Sequence, residues 1–186
     1  AAINTLRLDD LRPHIYRTHD GGKTWKHITN GIPNGTIVNV VREDPQRKGL
    51  LFAGTEQGVF RSSDSGQVWT AVNNGLSSAV RSLYAIGNSL YAGTYSSGVS
   101  GVYRSNDNGQ NWIATGLGYG FVTALYAVGS HLYASDRFGG ISRSSDGGQS
   151  WTDVSDGLPD GFGESINALY AVGSVLFAGT SRRGVY

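Results

Sequence analysis

The chain has 186 residues, with 15 Lys+Arg against 14 Asp+Glu, a net charge of +1, 28 glycines, 10 tyrosines and no cysteine. So small a net charge gives no field to gather nucleic acid, the lack of cysteine excludes disulfides and thiolate metal sites, and no stretch approaches the roughly 20 apolar residues of a membrane-spanning helix. The glycine content argues for short strands joined by tight turns, where φ > 0 is needed, and against helices, where each glycine costs about 1 kcal/mol.

In chain order, the first element is HIYRT at 14–18, which leads into THDGGKTW and then WKHI at 25–28. A turn at Asn34-Gly35 opens the next unit: IVNVV at 37–41, LLFAGT at 50–55, GVFRS at 58–62, the segment SSDSGQVW, and WTAV at 69–72. The unit recurs as VRSLYAIG at 80–87, LYAGT at 90–94, GVYRS at 101–105, SNDNGQNW and WIAT at 112–115. It recurs again as VTALYAVG at 122–129, LYASD at 132–136, GISRS at 140–144, SSDGGQSW and WTDV at 151–154. INALYAVG at 166–173, LFAGT at 176–180 and GVY at 184–186 complete the chain. Each run is β-branched or aromatic and bounded by Gly, Asn or Ser, the mark of a strand.

All four tryptophans fall in one pattern, Ser/Thr-x-Asp-x-Gly-x-x-Trp: Asp20, Gly22 and Trp25; Asp64, Gly66 and Trp69; Asp107, Gly109 and Trp112; Asp146, Gly148 and Trp151. The aspartates lie 44, 43 and 39 residues apart. Four strands per period, here called A (VTALYAVG type), B (LYAGT), C (GVYRS) and D (WTAV), joined by short turns, form an antiparallel meander. Repeated four-stranded units of this length are blades of a β-propeller, an all-β fold, each burying its faces against its neighbours. Strands are expected near 50–53, 83–85, 90–92, 125–127, 132–134 and 169–171, with no helix longer than two turns. The blades run over about 37–73, 80–115 and 122–155, with half-blades at about 14–30 and 166–186. The motif lies at the C–D turn. Its Asp accepts backbone N–H groups there, its Gly supplies an unusual backbone conformation, and its Trp is expected to pack back over the turn. These residues are read as structural, not chemical.

The four motifs resemble the Asp-box (BNR) repeats of sialidases, xyloglucan-type glucanases, sortilin-like receptors and photosystem II assembly factors, and the resemblance covers about 14–186. The first full repeat, VREDPQRKGLLFAGTEQGVFRS, is similar to sortilin-like bacterial propellers of large secreted proteins. The resemblance implies the fold and leaves activity open, because these families share a scaffold and differ in function. Asp-box propellers of the resembled kind have six or more blades. The chain therefore reads as a fragment of a larger propeller, or as a short array that closes by homo-oligomerising through blade edges. The two half-blades are expected to meet, within one chain or between chains, so that the first box completes the last blade, leaving one strand C surplus. An extracellular or periplasmic location is expected.

Propeller ligands meet the face built from D–A and B–C loops. Tyr95, Tyr119, Phe121, Asp136, Arg137, Phe138, Phe162 and Arg182 are the candidates there, a mixture suited to stacking on a sugar or gripping a peptide. A glycosidase needs two carboxylates roughly 5–9.5 Å apart. The loop acids on this face are Glu56, Asp136, Asp160 and Glu164, with Asp136 standing where sister repeats have Thr. The Phe-Arg-Ile-Pro motif of sialidases is absent, and Arg81, Arg137 and Arg182 occupy non-equivalent positions in successive blades. His14, His19, His27 and His131 show no metal-ligand spacing, with His19 and His27 expected at the surface. No cofactor or metal is expected. The leading reading is a non-catalytic propeller that binds protein or carbohydrate. The alternative is a fragment of a sialidase- or xyloglucanase-like hydrolase with catalytic acids partly outside this chain.

Overall fold

The computed structural model describes residues 1–2, 10–96, 100–118, 120–158 and 164–186. Tyr119, Asp160 and Phe162 lie outside the described residues. Among those described there are sixteen strands and no helix. β1 (Tyr16–Arg17) pairs with β2 (Lys26–His27). Three antiparallel meanders follow. The first is β3 (Val38–Glu43), β4 (Leu51–Thr55), β5 (Gly58–Ser62) and β6 (Thr70–Ala71). The second is β7 (Val80–Ile86), β8 (Ser89–Thr94), β9 (Val102–Ser105) and β10 (Ile113–Ala114). The third is β11 (Val122–Val128), β12 (His131–Asp136), β13 (Ile141–Ser144) and β14 (Thr152–Asp153). β15 (Ile166–Val172) and β16 (Val175–Thr180) form a last pair. All six expected strand segments lie on strands. The outermost strand of each meander is only two residues long.

The core is a series of slabs between neighbouring sheets. Val40, Phe52, Val59, Val72 and Leu76 of the first meander pack on Val80, Leu83, Leu90, Tyr103 and Trp112 of the second. Tyr91 and Val102 meet Val122, Leu125 and Leu132 across the next junction. Ile15, Ile28 and Ile32 cover the first blade on its N-terminal side, and Ile166, Leu169 and Ala178 cover the third on the other. Each fully buried side chain of this size contributes about 1.5–3 kcal/mol. Close approach explains a residue choice in strand B: a Cβ on Gly93 would lie 2.5 Å from Val122 Cγ1. The third blade has Ser135 there, and its Oγ donates to Ile166 O at 3.1 Å.

The box turns also join blades. In each, the Ser/Thr hydroxyl donates to the Asp carboxylate and accepts the Gly N–H; in the third box these distances are 2.8 and 2.8 Å for Ser105. The Asp also accepts the N–H of the residue before Trp, as Asp107 does from Asn111 at 2.9 Å. The residue before the box glycine is left-handed, at φ 62° for Ser65 and 63° for Asn108. Its carbonyl is free for the arginine of the preceding strand C: Arg17 reaches Ser65 O, Arg61 reaches Asn108 O at 3.5 Å, and Arg104 reaches Gly147 O at 3.2 Å.

The tryptophans depart from expectation. Only Trp25 and Trp151 fold over their own turns, donating to Gly22 O and Gly148 O at 3.1 Å each. Trp69 and Trp112 instead point into the preceding sheet, where their indoles donate to Ile28 O and Val72 O at 2.8 Å. The two end pairs remain separate two-stranded sheets. Both copies of strand C keep local partners: β1 is bridged by Ala2 through Ile15, and Val185 bridges Gly179.

Candidate functional site

The innermost strands β3, β7, β11 and β15 line one cavity of about 760 Å³. Each begins with a buried aliphatic residue (Val38, Val80, Val122, Ile166) and then breaks register by one residue. Such a bulge re-aims the extra side chain. The four bulge residues are Asn39, Arg81, Thr123 and Asn167, one per blade. Asn39, Arg81, Thr123 and Asn167, with Tyr95 and Ser165, border a smaller depression of about 360 Å³. Asn39 Nδ2 donates to Val80 O at 3.1 Å, and the Thr123 hydroxyl donates to Ile166 O, so the bulge side chains also tie one blade to the next.

Beside this depression the residues after β4, β8, β12 and β16 occupy equivalent places. Glu56, Tyr95, Arg137 and Ser181 each donate a backbone N–H to the loop before the neighbouring strand of their own sheet, at Ile37, Ala79, Phe121 and Ser165. Their side chains form a chain of contacts. Glu56 pairs with Arg81 at 3.1 Å and accepts from Asn39 Nδ2 at 3.0 Å. The Arg81 guanidinium lies 5.0 Å from the Tyr95 ring centre. Tyr95 and Phe121 are 4.9 Å apart and tilted by 58°, and Phe138 meets Phe121 at 6.0 Å, near edge-on. The Arg137 guanidinium sits over all three rings, 4.9 Å from Phe121, 5.3 Å from Phe138 and 5.9 Å from Tyr95.

Four of the expected face residues, Tyr95, Phe121, Arg137 and Phe138, therefore meet in one cluster. Arg182 does not join it. Its backbone N–H, at 3.0 Å, and that of Arg183, at 3.3 Å, donate to the buried carboxylate of Glu164. Asp136 takes the part that Thr55, Thr94 and Thr180 play in their loops. Its Oδ1 accepts the N–H groups of Phe138 at 2.7 Å and Gly140 at 2.9 Å. The carboxylates of Glu56, Asp136 and Glu164 are thus all held by donors of the protein itself. In the sequence Arg81 stands at a position not equivalent to those of Arg137 and Arg182, and so it carries no assignment there. The signal was the polar residue following the first apolar residue of every strand A.

The box carboxylates are strongly acidic. Asn111, through its backbone N–H and its side-chain amide, and the Ser105 hydroxyl lower Asp107 to about 2. The Ser62 hydroxyl and the N–H of Val68 lower Asp64. Such groups are anions locked into turns, unsuited to proton transfer near neutrality. At the N-terminal end His14 stacks on Tyr16, and His14 Nε2 lies 3.0 Å from Asp10 Oδ2, while His19 and His27 are exposed. Among the described residues no group of three or more His, Cys, Asp or Glu is placed to hold a metal ion, and no helix is long and apolar enough to cross a membrane.

Residues 16–27 match the BNR/Asp-box repeat family. No curated protein matches the chain. An ancestral GH74 enzyme superposes with a TM-score of 0.70 at 19% identity, over 92% of this chain and 25% of that one. The GH74 xyloglucanase from Xanthomonas campestris gives 0.68 at 20% identity, over 92% and 31%. The computationally designed Ika4 protein gives 0.62 at 14% identity, over 87% and 96%. The chain thus spans between a quarter and a third of the GH74 structures it matches. At these identities the likeness defines the fold: this is a β-propeller architecture built of Asp-box blades.

Proposed function

We propose that the chain is a non-catalytic binding module that takes its ligand, carbohydrate or protein, on the loop face around Tyr95. The observation that carries this reading is the cluster of Tyr95, Phe121, Phe138 and Arg137 at the edge of a depression bordered by amide and hydroxyl side chains. Aromatic rings beside a few fixed polar groups suit a sugar, whose ring faces stack and whose hydroxyls need partners. Carbohydrate is therefore the better fit of the two. The occupied carboxylates argue against hydrolysis, since a glycosidase needs one acid free to give a proton and another free to attack or activate water. A polysaccharide ligand also suits an extracellular or periplasmic location.

NMR titration with neutral and acidic plant-type oligosaccharides tests this. Shifts should concentrate on residues 39, 81, 95, 121, 123 and 137, and Tyr95→Ala should weaken binding by roughly tenfold or more, as loss of a stacked aromatic does. Shifts spread over the box turns would contradict the assignment. Release of reducing sugar during the titration would favour the hydrolase alternative.

A further inference from the structure

We infer that Arg137 is the anchor of a carboxylate subsite, and that the ligand of this face is an acidic oligosaccharide carrying uronic acid. The inference rests on the reading of this face as a carbohydrate-binding surface and adds the ligand's charge.

Two guanidinium groups reach the cluster, and they differ in one respect. Arg81 is neutralised by Glu56 at 3.1 Å and also donates to Asn39 Oδ1 at 3.2 Å. Arg137 has no carboxylate partner among the described residues; its side chain contacts the rings of Tyr95, Phe121 and Phe138. It is exposed, and Phe138 beside it is 45% exposed. A guanidinium steadied by ring faces loses less freedom when a ligand binds, and its planar fork matches a carboxylate with two parallel N–H···O bonds.

The neighbours narrow the ligand further. A phosphate monoester brings close to two charges and is best met by several cations, while a sulfate ester carries one charge spread over three oxygens and lacks the planar oxygen pair that a guanidinium fork matches. Here the second cation is already paired, and the Glu56 carboxylate stands nearby to repel excess negative charge. One carboxylate per subsite matches one unpaired guanidinium. Next to it, Asn39, Thr123, Ser165 and Asn167 border the depression; the first three already hydrogen-bond within the protein, their oxygens able to accept further, and the amide of exposed Asn167 faces the space a sugar's remaining hydroxyls would fill. A uronic acid unit presents both features on one ring.

Calorimetric titration with trigalacturonate, and with the same trimer after its carboxyls are reduced to alcohols, tests the subsite. The wild-type chain should bind the acid trimer roughly tenfold or more tightly than the reduced one, and added salt should narrow the gap. Arg137→Gln should remove that preference, weakening the acid trimer roughly tenfold more than the reduced one. Arg12→Gln, a change at an exposed arginine away from the cluster, should alter neither. An unchanged preference in Arg137→Gln overturns the subsite. So does an equal loss in Arg12→Gln, which would mark diffuse charge attraction. If Tyr95→Ala weakens both trimers while Arg137→Gln changes nothing, the subsite fails and the binding face stands. If neither trimer binds, both fail. Equal binding of hexaglutamate, with the same dependence on Arg137, would replace the sugar by an acidic peptide and overturn the inference.

Discussion

Trp112 and Trp151 close the same motif in successive blades, yet they do different work. Trp112 is 4% exposed and bonded at both nitrogens to the preceding blade, its backbone N–H to Asn74 O and its indole to Val72 O, each at 2.8 Å. Trp69 repeats this arrangement with Asn30 O and Ile28 O. Trp151 is half-buried, and its indole turns back to Gly148 O. The cause lies one blade upstream. Ile32 follows Trp25 by seven residues and Leu76 follows Trp69 by seven, but Leu117 follows Trp112 by five. The shorter segment lacks the Asn-containing turn that receives the next tryptophan. Gly116 fills the gap by donating its N–H to Gly148 O at 2.8 Å. A repeat motif thus fixes its own turn, while its larger side chain goes where the neighbouring blade provides a carbonyl and a slot.

The widest separation between the two kinds of junction is expected from truncating the tryptophans. Trp112→Ala should cost about 3–5 kcal/mol, Trp151→Ala about 1–2 kcal/mol and the exposed Trp25→Ala within about 0.5 kcal/mol, read from denaturant midpoints. Equal losses at all three would erase the distinction. Inserting Asn-Asn before Gly116 should convert the third junction to the first type. Fluorine NMR of 5-fluorotryptophan-labelled protein would then show residue 151 moving to the environment of residues 69 and 112; an unmoved signal would mean that turn length does not decide the packing.

Effects within the box should be smaller than that of Trp112→Ala. Ser105 is 1% exposed, so Ser105→Ala leaves the buried Gly109 N–H without its acceptor, at a cost of roughly 1–3 kcal/mol. Arg104→Gln should cost about 1 kcal/mol by removing the bond to Gly147 O, and Arg61→Gln less, since its bond is longer. Acid should act on the boxes together. The folded value of Asp107, about 2, lies below its ordinary 3.8, so its contribution is complete above about pH 4 and is lost as pH falls toward 2. Melting curves from about pH 5 to pH 2 should show this decline, and Asp107→Asn should make it shallower by the share of one box. A flat wild-type profile would contradict the role given to the carboxylates.

Strands and turns were legible in the sequence because the motif occurs four times in a fixed phase with the apolar runs. The destination of each tryptophan was not, since it depends on a turn in the preceding blade, although the shortened interval of 39 residues between Asp107 and Asp146 was its trace. The assembly of Tyr95, Phe121, Arg137 and Phe138 followed from loops sharing one face. Arg81 escaped because a bulge turns a strand residue toward that face, and the only trace of the register break is the polar residue after the first apolar residue of each strand A. The strand-C arginines stood in plain view in HIYRT, GVFRS and GVYRS. Their acceptors, carbonyls freed by left-handed box residues, exist only once neighbouring blades stack.

Box turns build the molecule, and the loop face is proposed to bind. Melting temperature and trigalacturonate affinity, measured side by side on Ser105→Ala and Tyr95→Ala, test that division most directly. Ser105→Ala should melt lower and, while folded, bind as the wild type does, whereas Tyr95→Ala should melt close to the wild type and lose binding. Lost binding in a folded Ser105→Ala protein, with Tyr95→Ala unaffected, would contradict that division.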